Sequence, residues 1–261
     1  MNNLRGVYTI WYRDILRFWH DKMRLIGAIT FPLLFLFVFG SGLSTRMGIL
    51  SPGIDFTRFI FPGIVGMTVL MTSFMAGVSV VWDREFGFLK EVLVAPISRA
   101  SVAIGKTLGA ATIALLQGIL ILLFAPLIGV SLSLWTVLAL LPLMFLLAVS
   151  LGSLGVLLAT RIRSMEAFQA TMQMLMFPMV FLSGAFFPLQ GLPAWMNVLV
   201  KINPATYGIA PIRQIMLGAT DSSFSIKLLG HTLSVWNDIT ILAIFGAAMI
   251  LLAIWSFSYQ E

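Results

Sequence analysis

Few residues in this chain are equipped for chemistry. It holds two histidines, His20 and His231, and no cysteine, which removes thiolate nucleophiles, disulfides and cysteine-ligated metals. No serine has a plausible base near it for an activated nucleophile. The stretch "ASVAIGKT", 100–107, fits the looser phosphate-loop pattern with alanine in place of the first glycine. A working phosphate loop follows a buried strand and turns glycine-rich backbone N–H groups onto phosphate. Here Val102 and Ile104 fill the loop and an uncharged apolar run follows directly. Lys106 therefore reads as a basic anchor at the end of a membrane span. "LSGAF", 182–186, is a superficial echo of an ATPase signature sequence. The expectation is a chain that is not an enzyme, with no catalytic residue, no metal and no cofactor of its own.

One constellation remains. In "WDREFGFLKEVLVAPISR", 82–99, six charged residues crowd together: Asp83, Arg84, Glu85, Lys90, Glu91 and Arg99. On a helical wheel, Phe86, Phe88, Leu89, Val92 and Leu93 share one half, and Asp83, Arg84, Lys90 and Glu91 the other. Pro96 ends the pattern. A short amphipathic helix with one mixed-charge face suits a docking knob for a soluble partner; a plain solvated turn is the other reading.

The elements around it are membrane spans. Of 261 residues, 59% are hydrophobic and 10% charged, with a mean hydropathy of +1.01. A soluble domain carries about 25% charge, so this chain cannot cover a water-facing surface. Its net charge of +6 could suit nucleic acid, but the basic residues sit at the ends of apolar runs and fit orientation in a bilayer better. About 20 apolar residues cross a bilayer as a helix. The pattern predicts six spans, at about 25–45, 59–82, 104–128, 135–160, 167–187 and 238–258. The charge-free stretch 107–160 is too long for one span and turns at "GVSLSLW", 129–135. Twenty-four residues precede the first apolar run, long for a signal n-region, so a retained span is expected there.

Residues 1–24 form a separate unit. Tyr8, Trp11, Tyr12, Ile15 and Trp19 recur at helical spacing between Arg13, Asp14 and Arg17. This reads as an amphipathic helix lying on the membrane face or packed on the spans. Segment 183–218 is apolar but broken by Pro188, Pro193, Pro204 and Pro211. It reads as two short re-entrant helices, or helices lying flat, with Asn203 capping the second. The fold class is thus all-α and polytopic, with six spans, an N-terminal interfacial helix and re-entrant helices between spans five and six. With the N-terminus in the cytoplasm, eleven basic residues lie inside and five outside, as the positive-inside rule prefers. Six spans return the C-terminus to the cytoplasm and put His20 and His231 on opposite sides. No ionisable group falls near a span centre, which argues against a proton-driven carrier.

These pieces bear a resemblance. Arg84-Glu85-x-Gly87-x-Leu89-x-Glu91-x-Leu93-x-x-Pro96, then Gly105-Lys106, resembles the segment after the second span of ABC transporter permeases of the type-2 export family. Residues 181–214 resemble their stretch after span five, and 13–40 their N-terminal helix and first span. Lys90 stands where many relatives have another residue. The resemblance implies a permease subunit that forms a pore as a homodimer, with a separate ABC ATPase subunit carrying ATP and Mg. Asp83, Arg84, Glu85, Phe86, Gly87, Leu89, Lys90, Glu91, Leu93 and Pro96 would form the coupling helix. The N-terminal stretch resembles the drug-export branch more than the polysaccharide branch, and Phe177, Phe181, Phe186 and Phe187 would suit an apolar substrate path or ordinary packing. The implied location is the plasma membrane (the inner membrane of a Gram-negative cell), with lipid and no nucleic acid as further partner. The alternative is a six-span scaffold or assembly factor that transports nothing.

Overall fold

The computed structural model describes residues 3–50, 56–87, 98–187, 189, 191–217, 227–228 and 231–258, and the chain is helical almost throughout them. In chain order the helices are α1 (Asn3–His20), α2 (Lys22–Leu50), α3 (Phe56–Phe74), α4 (Ala76–Glu85), α5 (Arg99–Leu122), α6 (Leu134–Arg161), α7 (Met165–Phe181), α8 (Ala194–Ile202), α9 (Thr206–Leu217) and α10 (Val235–Ser258). A two-residue antiparallel pair, Lys227–Leu228 with His231–Thr232, precedes α10. Among the described residues, four helical stretches are long and apolar enough to cross a membrane: Phe56–Glu85, Arg99–Leu122, Leu134–Arg161 and Val235–Ser258. They match the second, third, fourth and sixth predicted spans.

Serines start three of the helices. Ser98, Ser133 and Ser164 cap α5, α6 and α7, each accepting from the backbone N–H three residues on, in Ser101, Thr136 and Ala167. Such a cap satisfies one of the orphan donors of a first turn. The predicted turn at 129–135 falls between a short 3-10 turn, Ala125–Ile128, and the first residues of α6.

The continuous rod α3–α4 is the centre of the bundle. Almost every residue of α3 is buried, and α6, α5, α2 and α9 pack around the rod. Without a hydrophobic drive between helices in lipid, close contact depends on small residues. At the crossing of α4 with α6, a Cβ on Gly77 would run into the Gly155 carbonyl oxygen and the Phe168 ring, and a Cβ on Gly155 into the Phe74 carbonyl oxygen. Gly77→Ala is therefore expected to lower the stability of the purified protein by about 1–3 kcal/mol, despite alanine's better helix propensity. The midpoint of thermal unfolding in detergent measures it, and an unchanged midpoint would mean that the helices can separate at no cost.

The proline-broken segment divides unequally. Helix α9 is buried among α3, α6 and α10, whereas α8 shows Trp195, Val198 and Ile202 on the outside. Asn203 makes the turn between them: Ala205 N–H donates to its Oδ1 at 3.1 Å, and its Nδ2 donates to the Met179 carbonyl at 2.8 Å. Arg213 in α9 donates to the Ala185 carbonyl at 2.9 Å and lies over the Phe59 ring.

Candidate functional site

The charged stretch 82–99 does not run as one helix. Helix α4 ends at Glu85, Phe86 caps it, and Gly87 has φ +77°, a left-handed conformation open to glycine and strained for other residues. Helix α5 begins at Arg99. Leu89, Lys90, Glu91, Leu93 and Pro96 lie outside the described residues. The helical wheel put Asp83 and Arg84 on the solvent half; the structure turns both inward, because each finds a partner on a neighbouring element.

Three consecutive charges reach different helices. Asp83 is buried. Lys106 Nζ of α5 donates to its Oδ2 at 2.7 Å, and Arg13 Nη2 of α1 to the same oxygen at 2.8 Å. Both cations also approach Asp14 Oδ1 at 3.4 Å. Lys106 donates further to Ser79 Oγ at 3.1 Å, and its side chain is 2% exposed. Arg84 covers the C-terminal end of α6, donating to the carbonyls of Ala159 at 3.1 Å, Thr160 at 3.3 Å and Ile162 at 2.9 Å. A cation suits the negative end of a helix dipole. Glu85 turns to the opposite kind of end, accepting the Met165 N–H at the start of α7 at 3.1 Å. Across the segment, Arg99 donates to the Ser258 carbonyl of α10 at 2.7 Å.

Burial opposes the charge on Arg13, but the carboxylates of Asp83 and then Asp14 outweigh that opposition and hold its guanidinium above the usual pKa. Two cations thus face two anions in a quartet. An unpaired member would bear a large desolvation cost.

Small residues let α1 come close enough to join the quartet. A Cβ on Gly105 would lie 2.9 Å from Ile10 Cβ, and one on Gly109 3.2 Å from Asp14 Cβ. Trp11 Nε1 donates to Thr112 Oγ1 at 3.0 Å, and Ser101 Oγ to the Asn3 carbonyl at 3.1 Å. Residues 100–107 are helical, inside α5, and make no phosphate loop. Of the two readings of α1, the structure shows packing on α5; its other side leaves Leu4, Tyr8, Tyr12 and Trp19 exposed. Sequence reasoning missed Arg13 and Asp14 as site residues. The signal was there, as opposite charges at the ends of apolar runs with small residues one turn apart.

The four phenylalanines are only partly gathered. Phe177 and Phe181 are exposed one turn apart on α7. The Phe186 ring lies tilted against Phe181 at 5.3 Å and against Phe35 of α2 at 5.0 Å. Phe187 is half-buried in the turn after α7. Among the described residues no group of three or more His, Asp or Glu could hold a metal ion.

A bundle of apolar helices whose charges stitch helix ends together matches a known architecture at the level of sequence: the family model for ABC-2 type transporters matches residues 5–217. The chain belongs to the ABC-2 type transporter family. It is a transmembrane transport subunit and an integral membrane protein. Over 254 residues it is 30% identical to the transport permease ycf38 of Cyanophora paradoxa, covering 95% of this chain and 88% of that one. Nodulation protein J of Rhizobium leguminosarum bv. trifolii is 27% identical over 213 residues, 80% of each chain. The inner membrane transport permease YadH of Escherichia coli K12 is 27% identical over 219 residues, covering 82% of this chain and 83% of that one.

Proposed function

We propose that this ABC-2 permease is the pore-forming half of an ATP-driven exporter. Two copies form the substrate pathway, and a separate ABC ATPase subunit, which holds ATP and Mg, docks on the segment between α4 and α5. One observation carries this reading. The residues just before that segment, Asp83, Arg84 and Glu85, are tied to α1, α5, α6 and α7, and Arg99 just after it to α10. A displacement of the segment is thereby passed to five helices through short, charge-assisted bonds. Asp83, Arg84 and Glu85 act as the roots of the coupling element. Phe86 (74% exposed), Gly87, Leu89, Lys90, Glu91, Leu93 and Pro96 present its outer surface.

The six-span topology belongs to the same reading. Span one lies in α2 and span five in α7, α8 and α9 form the re-entrant segment, and both termini face the cytoplasm of the plasma membrane. The exposed aromatic stripe of α1 suits the inner bilayer surface. Phe177, Phe181, Phe186 and Phe187 line the apolar part of the path. Two measurements test the reading. Cysteines placed singly at Ser98 and Ser222 of this cysteine-free chain should label from opposite sides, Ser98 only with reagent that reaches the cytoplasm. In reconstituted vesicles an ABC ATPase should bind the permease and hydrolyse ATP faster with it than alone. Labelling of both cysteines from outside, or no association with an ATPase, would overturn the topology or the coupling respectively.

A further inference from the structure

A cleft of about 280 Å³ opens beside α1, between it and the rod α3–α4 and α5. Arg17 of α1 and Asp21, the residue that follows α1, line it, with Ser79 and Trp82 of α4 and Lys106 and Ile113 of α5. Its two cations differ in what they have left to give. Lys106 has three N–H donors, and they are directed at Asp83, Ser79 and Asp14. The Arg17 guanidinium lies over the Trp82 ring, 5.1 Å from its centroid, and among the described residues no side chain or carbonyl accepts from it. A guanidinium held by an aromatic face keeps its planar fork presented, and that fork fits phosphate oxygens two at a time.

Asp21 stands just past the end of α1, its N–H donating to the Arg17 carbonyl at 3.2 Å, and a carboxylate accepts several donors. Behind the charged mouth, Met75, Ala110 and Ile113 give the wall an apolar depth. A cation for phosphate, an anion one turn away and an apolar wall behind form the pattern of a lipid headgroup. On a helix with an exposed aromatic stripe, the phosphate at hand is that of a membrane phospholipid.

We propose that this cleft binds the headgroup of an aminophospholipid of the phosphatidylethanolamine type, with its phosphate on Arg17 and its ammonium on Asp21. The Lys106 quartet beneath contributes field and shape without contributing free donors. A choline headgroup has no N–H to give Asp21, so the site prefers ethanolamine. The bound lipid would wedge between α1 and the spans beside the quartet. The proposal rests on α1 lying at the bilayer surface, and it is measured on the permease alone, so that failure of ATPase coupling does not touch it.

The test is titration of the purified full-length chain in detergent, read by native mass spectrometry, with palmitoyl-oleoyl phosphatidylethanolamine, the matching phosphatidylcholine and inorganic phosphate as separate probes. Phosphatidylethanolamine should bind most tightly and inorganic phosphate least. Arg17→Gln should weaken the ethanolamine lipid roughly tenfold, the worth of one charge-assisted contact. Arg17→Lys, which keeps the charge and loses the fork, should fall between. Asp21→Asn should make the two lipids equal without abolishing either. Both residues are exposed at the cleft mouth, and an unchanged elution volume shows that each variant is folded. Unchanged binding in Arg17→Gln, a surviving ethanolamine preference in Asp21→Asn, or phosphate binding as tight as lipid would each overturn the proposal.

Discussion

Lys106→Ala should destabilise the permease by about 3–5 kcal/mol, the cost of removing one partner from a buried ion pair. The side chain is almost wholly enclosed, and its loss leaves Arg13 as the cation that Asp83 and Asp14 share among the described residues. The measurable result is a lower unfolding midpoint, less protein surviving extraction, and release of α1 from α5, visible as proteolysis near residue 20. Charge imbalance is the cause, not lost volume, so a double variant separates the two. Lys106→Met with Asp83→Leu removes both members and leaves Arg13 beside Asp14. It should recover most of the lost stability, because apolar replacement of a buried pair is often neutral. Equal damage in the single and double variants would show that charge imbalance is not the cause. The lone subunit should turn over no ATP in any of these forms. Nucleotide binding by the purified chain, lost in Lys106→Ala, would instead mean that the residue serves a phosphate site.

Glu91→Arg and Leu89→Asp should abolish or sharply reduce transport while leaving the permease in the membrane. Both lie in the segment between the roots at Asp83–Glu85 and the start of α5 at Arg99. On the proposed reading, Glu91 meets a basic group of the ATPase. A partly desolvated interfacial pair is worth more than an exposed one, whose median is about 0–1 kcal/mol. Reversing its sign replaces attraction with repulsion. Leu89→Asp has the larger expected effect, because it puts a charge on the apolar face that must be covered. ATPase stimulation and substrate export in a reconstituted complex, with expression level as control, measure both variants. Normal stimulation and export in both would reduce the stretch to a solvated turn. Contrast with the Lys106 variant is informative: that change acts through fold stability, whereas these act with the fold intact.

Much of the architecture was legible in the sequence because it follows from local rules. Apolar runs about 20 residues long predicted the spans at 59–82, 104–128, 135–160 and 238–258, and four helices of sufficient length and apolarity stand there. The turn at 129–135 and the two short helices around Asn203 follow from prolines, glycine and capping side chains. Helical periodicity located α1. The family, too, was readable, since the motif order after the second span and after span five is a property of the chain alone.

What the sequence could not reveal was the destination of its charges. A helical wheel ranks residues around one axis and has no knowledge of neighbours, so Asp83 and Arg84 read as part of one polar half with Lys90 and Glu91, and Glu85 fell on neither half. In the folded chain Gly87 ends the helix two residues later, and each of the three charges turns to a different partner: a quartet with Lys106, Arg13 and Asp14, the C-terminal carbonyls of α6, the first N–H of α7. The sequence determined which segments are apolar enough to enter a membrane and where they must turn, because burial of apolar groups and satisfaction of backbone hydrogen bonds act along the chain. Only the tertiary structure decided that Arg13 and Asp14 meet Asp83 and Lys106, about 70 and 90 residues away. A charge enclosed at the edge of a low-dielectric bundle needs an opposite charge within a few ångströms, and only the packing of helices determines which one comes near.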